Sequence, residues 1–193
     1  MDFQDDYYKA VGDQKNAIYW YQKALGVNDI KETRAKLNEL LNEKNKLTMT
    51  IEITTDIIIN ATPEKVWSIF SDFKNYPAWN PFIKSIGGDV KLGNTITARI
   101  QAPESKEMIF KPKVLTYIDN SELSWLGHLL FPGLFDGKHR FALTLNDNGT
   151  TTFTQSEKFS GILIPLFKKQ LNINTKQGFE HMNAILKELA ELK

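Results

Sequence analysis

A change in hydrophobic periodicity near residue 48 is the feature that most limits how this chain of 193 residues can fold. Before it, apolar residues recur at spacings of three and four, which predicts helices. After it, Ile51, Ile53 and Ile57 alternate with polar residues, which predicts a strand buried on one face. The change therefore predicts two parts, a small helical segment over residues 1–46 and a larger domain over residues 47–193.

The helical segment includes one stretch, YYKAVGDQKNAIYWYQKAL, that resembles a tetratricopeptide repeat. Small Ala17 and Ala24 stand where that family needs close helix packing, and Gly12-Asp13 stands at its turn. The match covers about one repeat, whereas roughly three are normally needed to bury a continuous core. We therefore expect the segment to pack on the rest of the chain, on a second copy or on a protein partner.

The larger domain alternates between strand and helix patterns in an order that predicts an α+β fold. Thr62-Pro63-Glu64 predicts a helix start, with Thr as N-cap and Pro at the first position. A long helix is predicted from about residue 164 to 192, with an apolar stripe that contains Gly178, Met182, Ile185 and Leu189. Six further alternating runs predict strands over residues 82–86, 95–102, 108–118, 122–129, 139–145 and 151–159.

Four segments together resemble one known family: IIINATPEKVWSIFSDFKNYPAWNPFI, PGLFDGKHRF, FSGILIPL and GFEHMNAILKELAE. They are similar to the START-like superfamily of helix-grip proteins, in its polyketide cyclase/dehydrase and lipid transport branch (SRPBCC). The resemblance implies a seven-stranded antiparallel sheet wrapped around the long C-terminal helix, with an apolar cavity between them. It implies no single reaction, because the superfamily includes carriers, cyclases, hydroxylase domains and chaperone co-factors.

The last hairpin allows a prediction of which side chains face that cavity. Asp147-Asn148-Gly149 fits a three-residue turn, and centring there pairs Leu143 with Phe153. The apolar pair fixes the inner face, which places His139 and Glu157 on it, directly opposite each other. Such a pair either orients the polar end of a ligand, acts as acid and base, or forms a structural cross-strand bridge.

The same reasoning gives a set of candidate site residues. The corner NYPAWNPFI places aromatic rings between two prolines, where they would cap the sheet, line the cavity or pack in the core. The apolar loop LLFPGLF would form a gate at the cavity mouth or be covered by other loops. The expected ligand-binding residues are Trp79, Phe82, Trp125, His139, Phe141, Phe153, Gln155, Glu157 and Met182. The expected gate residues are Phe131, Leu134 and Phe135, and the residues expected to point outward are Arg99, His128 and Arg140.

Composition and motifs argue against several other classes of function. The net charge of +1 gives no electrostatic reason to expect binding of nucleic acid or of an acidic membrane surface. The chain has three histidines without metal-ligand spacing and no cysteine, so we expect neither a metal nor a cofactor. The acidic, polar N-terminus is unlike a secretory signal, so we expect a cytoplasmic protein with at most transient membrane contact.

Three functional hypotheses are compatible with these residues. The first is a non-catalytic binding or carrier protein for a small hydrophobic or amphipathic ligand, such as a lipid, an isoprenoid, a polyketide-like or an aromatic compound. The second is a metal-independent enzyme of the cyclase or dehydratase kind that uses His139 and Glu157. The third is an interaction adaptor that recruits a protein partner through residues 1–46. We expect a binding protein rather than an enzyme.

Overall fold

Strands and one long C-terminal helix make up most of the part of the chain that the structure describes. A computed structural model describes residues 50–128, 132–161, 164, 168 and 171–192. The helical segment predicted over residues 1–46 lies outside these residues. The strands are β1 (Ile51–Ile59), β2 (Ile83–Gly87), β3 (Thr97–Ile100), β4 (Met108–Phe110), β5 (Lys113–Ile118), β6 (Glu122–His128), β7 (Asp136–Leu145) and β8 (Thr151–Ser160). The helices are α1 (Pro63–Phe70), a 3₁₀ turn (Phe73–Asn75), α2 (Tyr76–Trp79), a π-helical turn (Leu171–Thr175) and α3 (Lys176–Glu191).

The described strands form two antiparallel sheets. One has five strands in the order β1-β8-β7-β6-β5, and the other has three in the order β2-β3-β4. The sequence predicts seven strands, whereas the described residues form eight, because the run 108–118 is divided at Pro112. Proline has no N–H to donate to a sheet ladder, so a strand of the three-stranded sheet ends before Pro112 and a strand of the five-stranded sheet begins after it.

The predicted register of the last hairpin is confirmed. Leu143 pairs with Phe153 and His139 pairs with Glu157 across β7 and β8. Gly149 has a φ of +79°, the left-handed conformation that the turn requires. The inner face is therefore the one that the apolar pairs indicate, and Leu123, Phe141 and Phe153 are fully buried on it.

The C-terminal helix presents a stripe that differs from the predicted one. Gly178 and Met182 are buried as expected, but Ile185 and Leu189 are only partly buried. Phe179, Leu186 and Ala190 take the central positions, together with the polar Asn183. Asn183 is tolerated there because its Nδ2 donates to the Thr55 Oγ1 of β1 at 2.9 Å. Because the buried stripe contains a polar residue, the predicted stripe is displaced from the observed one by about one position.

The proline-rich corner after α1 is fixed by buried polar contacts. The Tyr76 hydroxyl, fully buried, donates to the Phe70 carbonyl at 2.7 Å. The Asn80 Oδ1 accepts from the backbone N–H groups of Phe82 and Ile83 at 3.0 and 2.8 Å. These bonds turn the chain from α2 into β2 and direct the Phe82 ring towards α3, where it packs edge-on against Phe179 at 5.3 Å.

Helix α1 begins where the sequence predicts. Pro63 is its first residue and Thr62 its N-cap, although the Thr62 side chain makes no capping hydrogen bond to the backbone. Val66, Trp67 and Phe70 are buried in the core, where the Phe70 ring packs against Phe141 and Phe153 of the five-stranded sheet. Of the described helices, none is both long and apolar enough to cross a membrane.

Candidate functional site

A cavity of about 480 Å³ lies between the two sheets and the start of the C-terminal helix. Its inner wall comes mainly from β6 and β8 through Trp125, Glu157 and Phe159. The opposite wall comes from the second sheet and its loop, including Ile100 and Met108. The remaining lining residues are Phe82, Ala102, Glu104, Ser105, Lys106, Phe110, Pro112, Gly127, His128, Phe135, Gly137, Leu171, Asn174 and Thr175. Most of this lining is apolar, and five of its side chains are Phe or Trp.

Two paired glycines form part of the cavity wall. Gly127 of β6 is opposite Gly137 of β7, and Phe159 of β8 continues the same row. A Cβ at Gly137 would lie 2.6 Å from the Glu157 Oε1, which is too close for two non-bonded atoms. The absence of a side chain at this position therefore leaves room for the Glu157 carboxyl beside the cavity.

Glu157 and His139 are neighbours, but they do not form a hydrogen bond. The distance from the His139 Nδ1 to the Glu157 Oε2 is 3.7 Å, beyond hydrogen-bond length. The His139 side chain is fully buried, whereas the Glu157 side chain is 13% exposed and borders the cavity. The pair thus has an inner member that is enclosed and an outer member that borders the cavity.

Aromatic rings and an amide enclose His139. Its ring stacks on Phe141 at 4.2 Å, meets Trp125 edge-on at 5.3 Å and lies 4.9 Å from Phe179. Its Nε2 is 3.0 Å from the Nε2 of Gln155, while its Nδ1 has no hydrogen-bond partner. These surroundings exclude water from the imidazole and leave one ring nitrogen directed towards Glu157.

Burial shifts both titrating groups of the pair towards their neutral forms. It lowers the pKa of His139 from 6.5 to about 3 and raises the pKa of Glu157 from 4.5 to about 8. At neutral pH the site therefore holds an uncharged imidazole and a protonated carboxyl. A carboxyl with this pKa can donate a hydrogen bond or exchange a proton with a bound molecule.

Polar contacts connect the elements at the mouth of the cavity. The Asn174 Nδ2, in the π-helical turn, donates to the Ser105 Oγ at 3.3 Å. The His128 Nδ1 is 2.6 Å from the Asp136 Oδ1, whose carboxylate also accepts from the Gly133 backbone N–H. π-Helical turns are rare and occur frequently at functional sites.

The structure separates the predicted ligand-binding residues into three groups. Those that line the cavity are Phe82, Trp125 and Glu157. Those that are buried beside the cavity without lining it are His139, Phe141, Phe153, Gln155 and Met182. Trp79 belongs to neither group: it is partly exposed and packs edge-on against Tyr76 at 5.1 Å, away from the lining.

The residues of the predicted gate are placed only in part. Phe135 lines the cavity and its ring lies 5.5 Å from that of Phe159. Leu134 is partly buried and does not line the cavity, and Phe131 lies outside the described residues.

The residues expected to point outward are exposed or form surface pairs. Arg99 bonds Glu107 at 2.8 Å, and Arg140 bonds Glu122 at 2.7 Å. His128 is also exposed, yet it borders the cavity mouth, which the strand alternation alone does not indicate.

Several lining residues come from segments to which the sequence assigns no role in the site. The loop 101–107 contributes Ala102, Ser105 and Lys106, and the π-helical turn contributes Asn174 and Thr175. Loop residues have no periodicity from which a facing direction can be read. Within the described residues, no group of three or more His, Cys, Asp or Glu side chains is arranged to hold a metal ion.

Comparisons with known proteins agree with this architecture. Among solved structures, the di-domain ARO/CYC BexL from the BE-7585A biosynthetic pathway has a TM-score of 0.63 and 14% identity, covering 95% of this chain and 63% of that chain. Norcoclaurine synthase from Thalictrum flavum has a TM-score of 0.59 and 13% identity, covering 75% and 96%. A START superfamily protein from Mycobacterium smegmatis has a TM-score of 0.55 and 19% identity, covering 72% and 97%. At these identities the likeness is one of fold.

A sequence comparison gives the family. No curated protein matches the sequence. The model of the family described as polyketide cyclase / dehydrase and lipid transport matches residues 50–191, which include every residue that lines the cavity. The chain belongs to the polyketide cyclase/dehydrase and lipid transport family.

Proposed function

We propose that this protein binds a small hydrophobic or amphipathic molecule in the cavity between its sheets and its C-terminal helix. The observation that supports this most directly is the cavity of about 480 Å³ itself, which is large enough for a ligand and mostly apolar. Family membership points the same way, towards a ligand-binding or cyclase role. A lipid, an isoprenoid, a polyketide-like or an aromatic compound fits this description.

Affinity would come mainly from burial of apolar ligand surface. Burial contributes roughly 25 cal/mol per Å², less the cost of ordering the ligand and its surroundings. Phe82, Trp125 and Phe159 supply aromatic surface, and Glu157 supplies a polar group inside the apolar wall. The polar group would orient the ligand, because a misplaced ligand would leave it buried without a partner.

A cavity-filling substitution tests the proposal. Ala102 lines the cavity, so Ala102→Trp should occupy the ligand's space. Binding of the neutral fluorophore N-phenyl-1-naphthylamine should be weakened at least about tenfold, which corresponds to about 1.4 kcal/mol. Ala78→Trp is the matched control, because Ala78 is exposed and does not line the cavity.

Thermal unfolding of each variant shows whether the fold is intact, and Ala102→Leu serves if the larger residue prevents folding. Equal binding by the wild type and both tryptophan variants would place the fluorophore elsewhere and contradict the proposal.

A second function, proton-transfer catalysis, is favoured by one specific observation. The carboxyl of Glu157 borders the cavity with a pKa raised to about 8, near the pH at which a general acid or base is most effective. In such an enzyme Glu157→Gln would abolish turnover of a bound substrate while leaving its affinity within a few-fold. In a carrier the substitution would change affinity alone.

A further inference from the structure

Four side chains form a connected row from the core to the cavity. The Gln155 Nε2 lies 3.8 Å from the Met182 Sδ and 3.0 Å from the His139 Nε2. The His139 Nδ1 lies 3.7 Å from the Glu157 Oε2, and Glu157 borders the cavity. Met182, Gln155 and His139 are all completely buried, so no bulk water competes for these contacts.

Met182 determines which way the Gln155 amide points. A thioether sulfur accepts hydrogen bonds but has none to donate. If the amide oxygen pointed towards Met182, it would face the sulfur lone pairs, and both amide N–H groups would lose these two acceptors. With the nitrogen in that position, the amide nitrogen of Gln155 has both contacts and its Oε1 is the amide atom left without a partner. An unpaired buried carbonyl is more common in proteins than an unpaired N–H, which favours this orientation.

The orientation of the amide fixes the tautomer of His139. Since the Gln155 nitrogen donates to the His139 Nε2, that ring nitrogen is an acceptor and has no proton. The proton of the neutral imidazole is then on Nδ1, which lies 3.7 Å from the Glu157 Oε2 and has no hydrogen-bond partner. His139 can donate towards Glu157, but it has no free acceptor for the carboxyl proton.

The remaining direction for the Glu157 proton is the cavity. On one side the carboxyl meets the Nδ1–H of His139, and its Oε1 lies over Gly137, which also lines the cavity. We propose that Met182 and Gln155 are positioning residues that hold His139 as the Nδ1–H tautomer, so that Glu157 donates a hydrogen bond into the cavity and selects neutral ligands with an oxygen acceptor. This inference rests on the proposed function and names the ligand class of that site.

The charged groups around Glu157 do not reverse this selection. Those that share the cavity lining are Glu104 and Lys106 of the loop 101–107, and His128, which is paired with Asp136. Among the described residues, none of them lies within ion-pair distance of the Glu157 carboxyl, whose one such neighbour is His139. The lining residues from the π-helical turn, Leu171, Asn174 and Thr175, are uncharged. The raised pKa of Glu157 agrees with a protonated donor.

The tautomer can be measured without any ligand. In the ¹⁵N-labelled full chain, histidine ¹H–¹⁵N correlation spectra distinguish a protonated from an unprotonated ring nitrogen. There are three histidines, so His128→Gln and His181→Gln variants assign the His139 signals. We expect a protonated Nδ1 and an unprotonated Nε2 from pH 5 to pH 9. A protonated Nε2, or a charged imidazolium in this range, would overturn the inference.

Met182→Leu tests the positioning role, because it removes the sulfur acceptor and keeps an apolar side chain. We expect the Nε2–H tautomer to become populated in this variant. Leu186→Met is the matched control on the same buried face of α3, and it should leave the tautomer unchanged. An unchanged tautomer in Met182→Leu would show that Met182 has no such role.

Ligand class is tested with three probes of one shape: 2-acetylnaphthalene, 2-ethylnaphthalene and 2-(aminomethyl)naphthalene. The ketone should bind most tightly to the wild type at pH 7. Its affinity should fall roughly tenfold from pH 7 to pH 9, because a group with a pKa of about 8 loses the donated proton over this range. Glu157→Gln keeps an N–H donor and should remove the pH dependence, whereas Glu157→Leu should remove the pH dependence and weaken ketone binding at pH 7.

The outcomes separate this inference from the proposed function. Tightest binding of the amine, or a ketone affinity independent of pH in the wild type, would overturn the inference while leaving a ligand-binding cavity. Failure of all three probes to bind would contradict both the proposed function and the ligand class. The measured tautomer would still show whether Gln155 donates to the His139 Nε2.

Discussion

At the scale of single residues, two neighbouring side chains give opposite dependences of stability on pH. Burial favours the neutral form of each, so the folded state loses stability at any pH that charges His139 or Glu157. His139 has a lowered pKa, so stability is lost as pH falls from 6.5 towards about 3. Glu157 has a raised pKa, so stability is lost as pH rises from 4.5 towards about 8.

Glu157→Gln isolates the second of these effects. The substitution removes the titrating group, so the variant should gain stability relative to the wild type between pH 4.5 and pH 8. The gain should approach about 1.4 kcal/mol per pH unit within this interval and level off outside it. Urea unfolding of both proteins from pH 4 to pH 9 measures the difference. Parallel curves over the whole range would show that the carboxyl is not desolvated in the folded chain.

The buried hydroxyl of Tyr76 is a main stabilising contact of the proline-rich corner. It donates to the Phe70 carbonyl, so Tyr76→Phe should lower the free energy of unfolding by about 1–2 kcal/mol. The partly exposed Trp79 offers a comparison, and Trp79→Phe should cost less. Denaturant unfolding of the two variants gives the order, and an equal loss would contradict a special role for the Tyr76 hydroxyl.

At the scale of elements, the contact between the corner and the C-terminal helix depends on a glycine. A Cβ at Gly178 would lie 2.3 Å from the Phe82 Cδ2. Gly178→Ala should therefore destabilise the fold by about 1–3 kcal/mol, because an inserted methyl displaces a buried ring. The smaller side chain of a Phe82→Leu, Gly178→Ala double variant should restore part of the loss, as a double-mutant cycle measures.

Gly87→Ala is the matched control for this test. A Cβ at Gly87 would meet its nearest atoms at 4.0 Å, which is ordinary contact. It should change the unfolding midpoint little. A loss as large as that of Gly178→Ala would mean that glycine flexibility, rather than the contact with Phe82, explains the effect.

Elements differ in how well the sequence predicts them, and the reasons are physical. The β7–β8 register is predictable because the turn at Gly149 and the Leu143–Phe153 pair both specify it. Pro112 is a sequence signal for the end of a strand, but the alternation of apolar residues on either side of it predicts one long strand. The buried face of α3 is predicted wrongly because it contains Asn183. Periodicity assigns a polar residue to the exposed face, whereas this one is buried and hydrogen-bonded.

The candidate site is predictable where strands supply it, and at Phe82 and Phe135 in the two apolar segments that the sequence makes conspicuous. Trp125 and Glu157 follow from strand alternation once the inner face is known. The lining contributed by Ser105, Lys106 and Asn174 depends on loop and π-helix conformations, which have no sequence period. The separation of His139 from the cavity also depends on how the rings of Phe141 and Phe179 pack against it.

At the scale of the whole molecule, every residue that lines the cavity belongs to the unit Met49–Lys193. We therefore predict that residues 49–193, expressed alone, bind N-phenyl-1-naphthylamine with the affinity of the full chain and unfold at the same midpoint. Loss of a protein partner with unchanged stability would support an adaptor role for the N-terminal segment. Aggregation or a lowered midpoint would instead show that residues 1–46 are needed for packing and would contradict the prediction.

The central claim is that the cavity holds a small hydrophobic or amphipathic molecule. Native mass spectrometry of the freshly purified full chain, beside its Ala102→Trp variant, tests it most directly. Solvent extraction would then identify whatever is released. We predict a near-stoichiometric, largely apolar adduct on the wild type and none on the variant. An adduct of equal amount on both proteins, or a wild type that is empty and takes up no compound from a hydrophobic library, would contradict the claim.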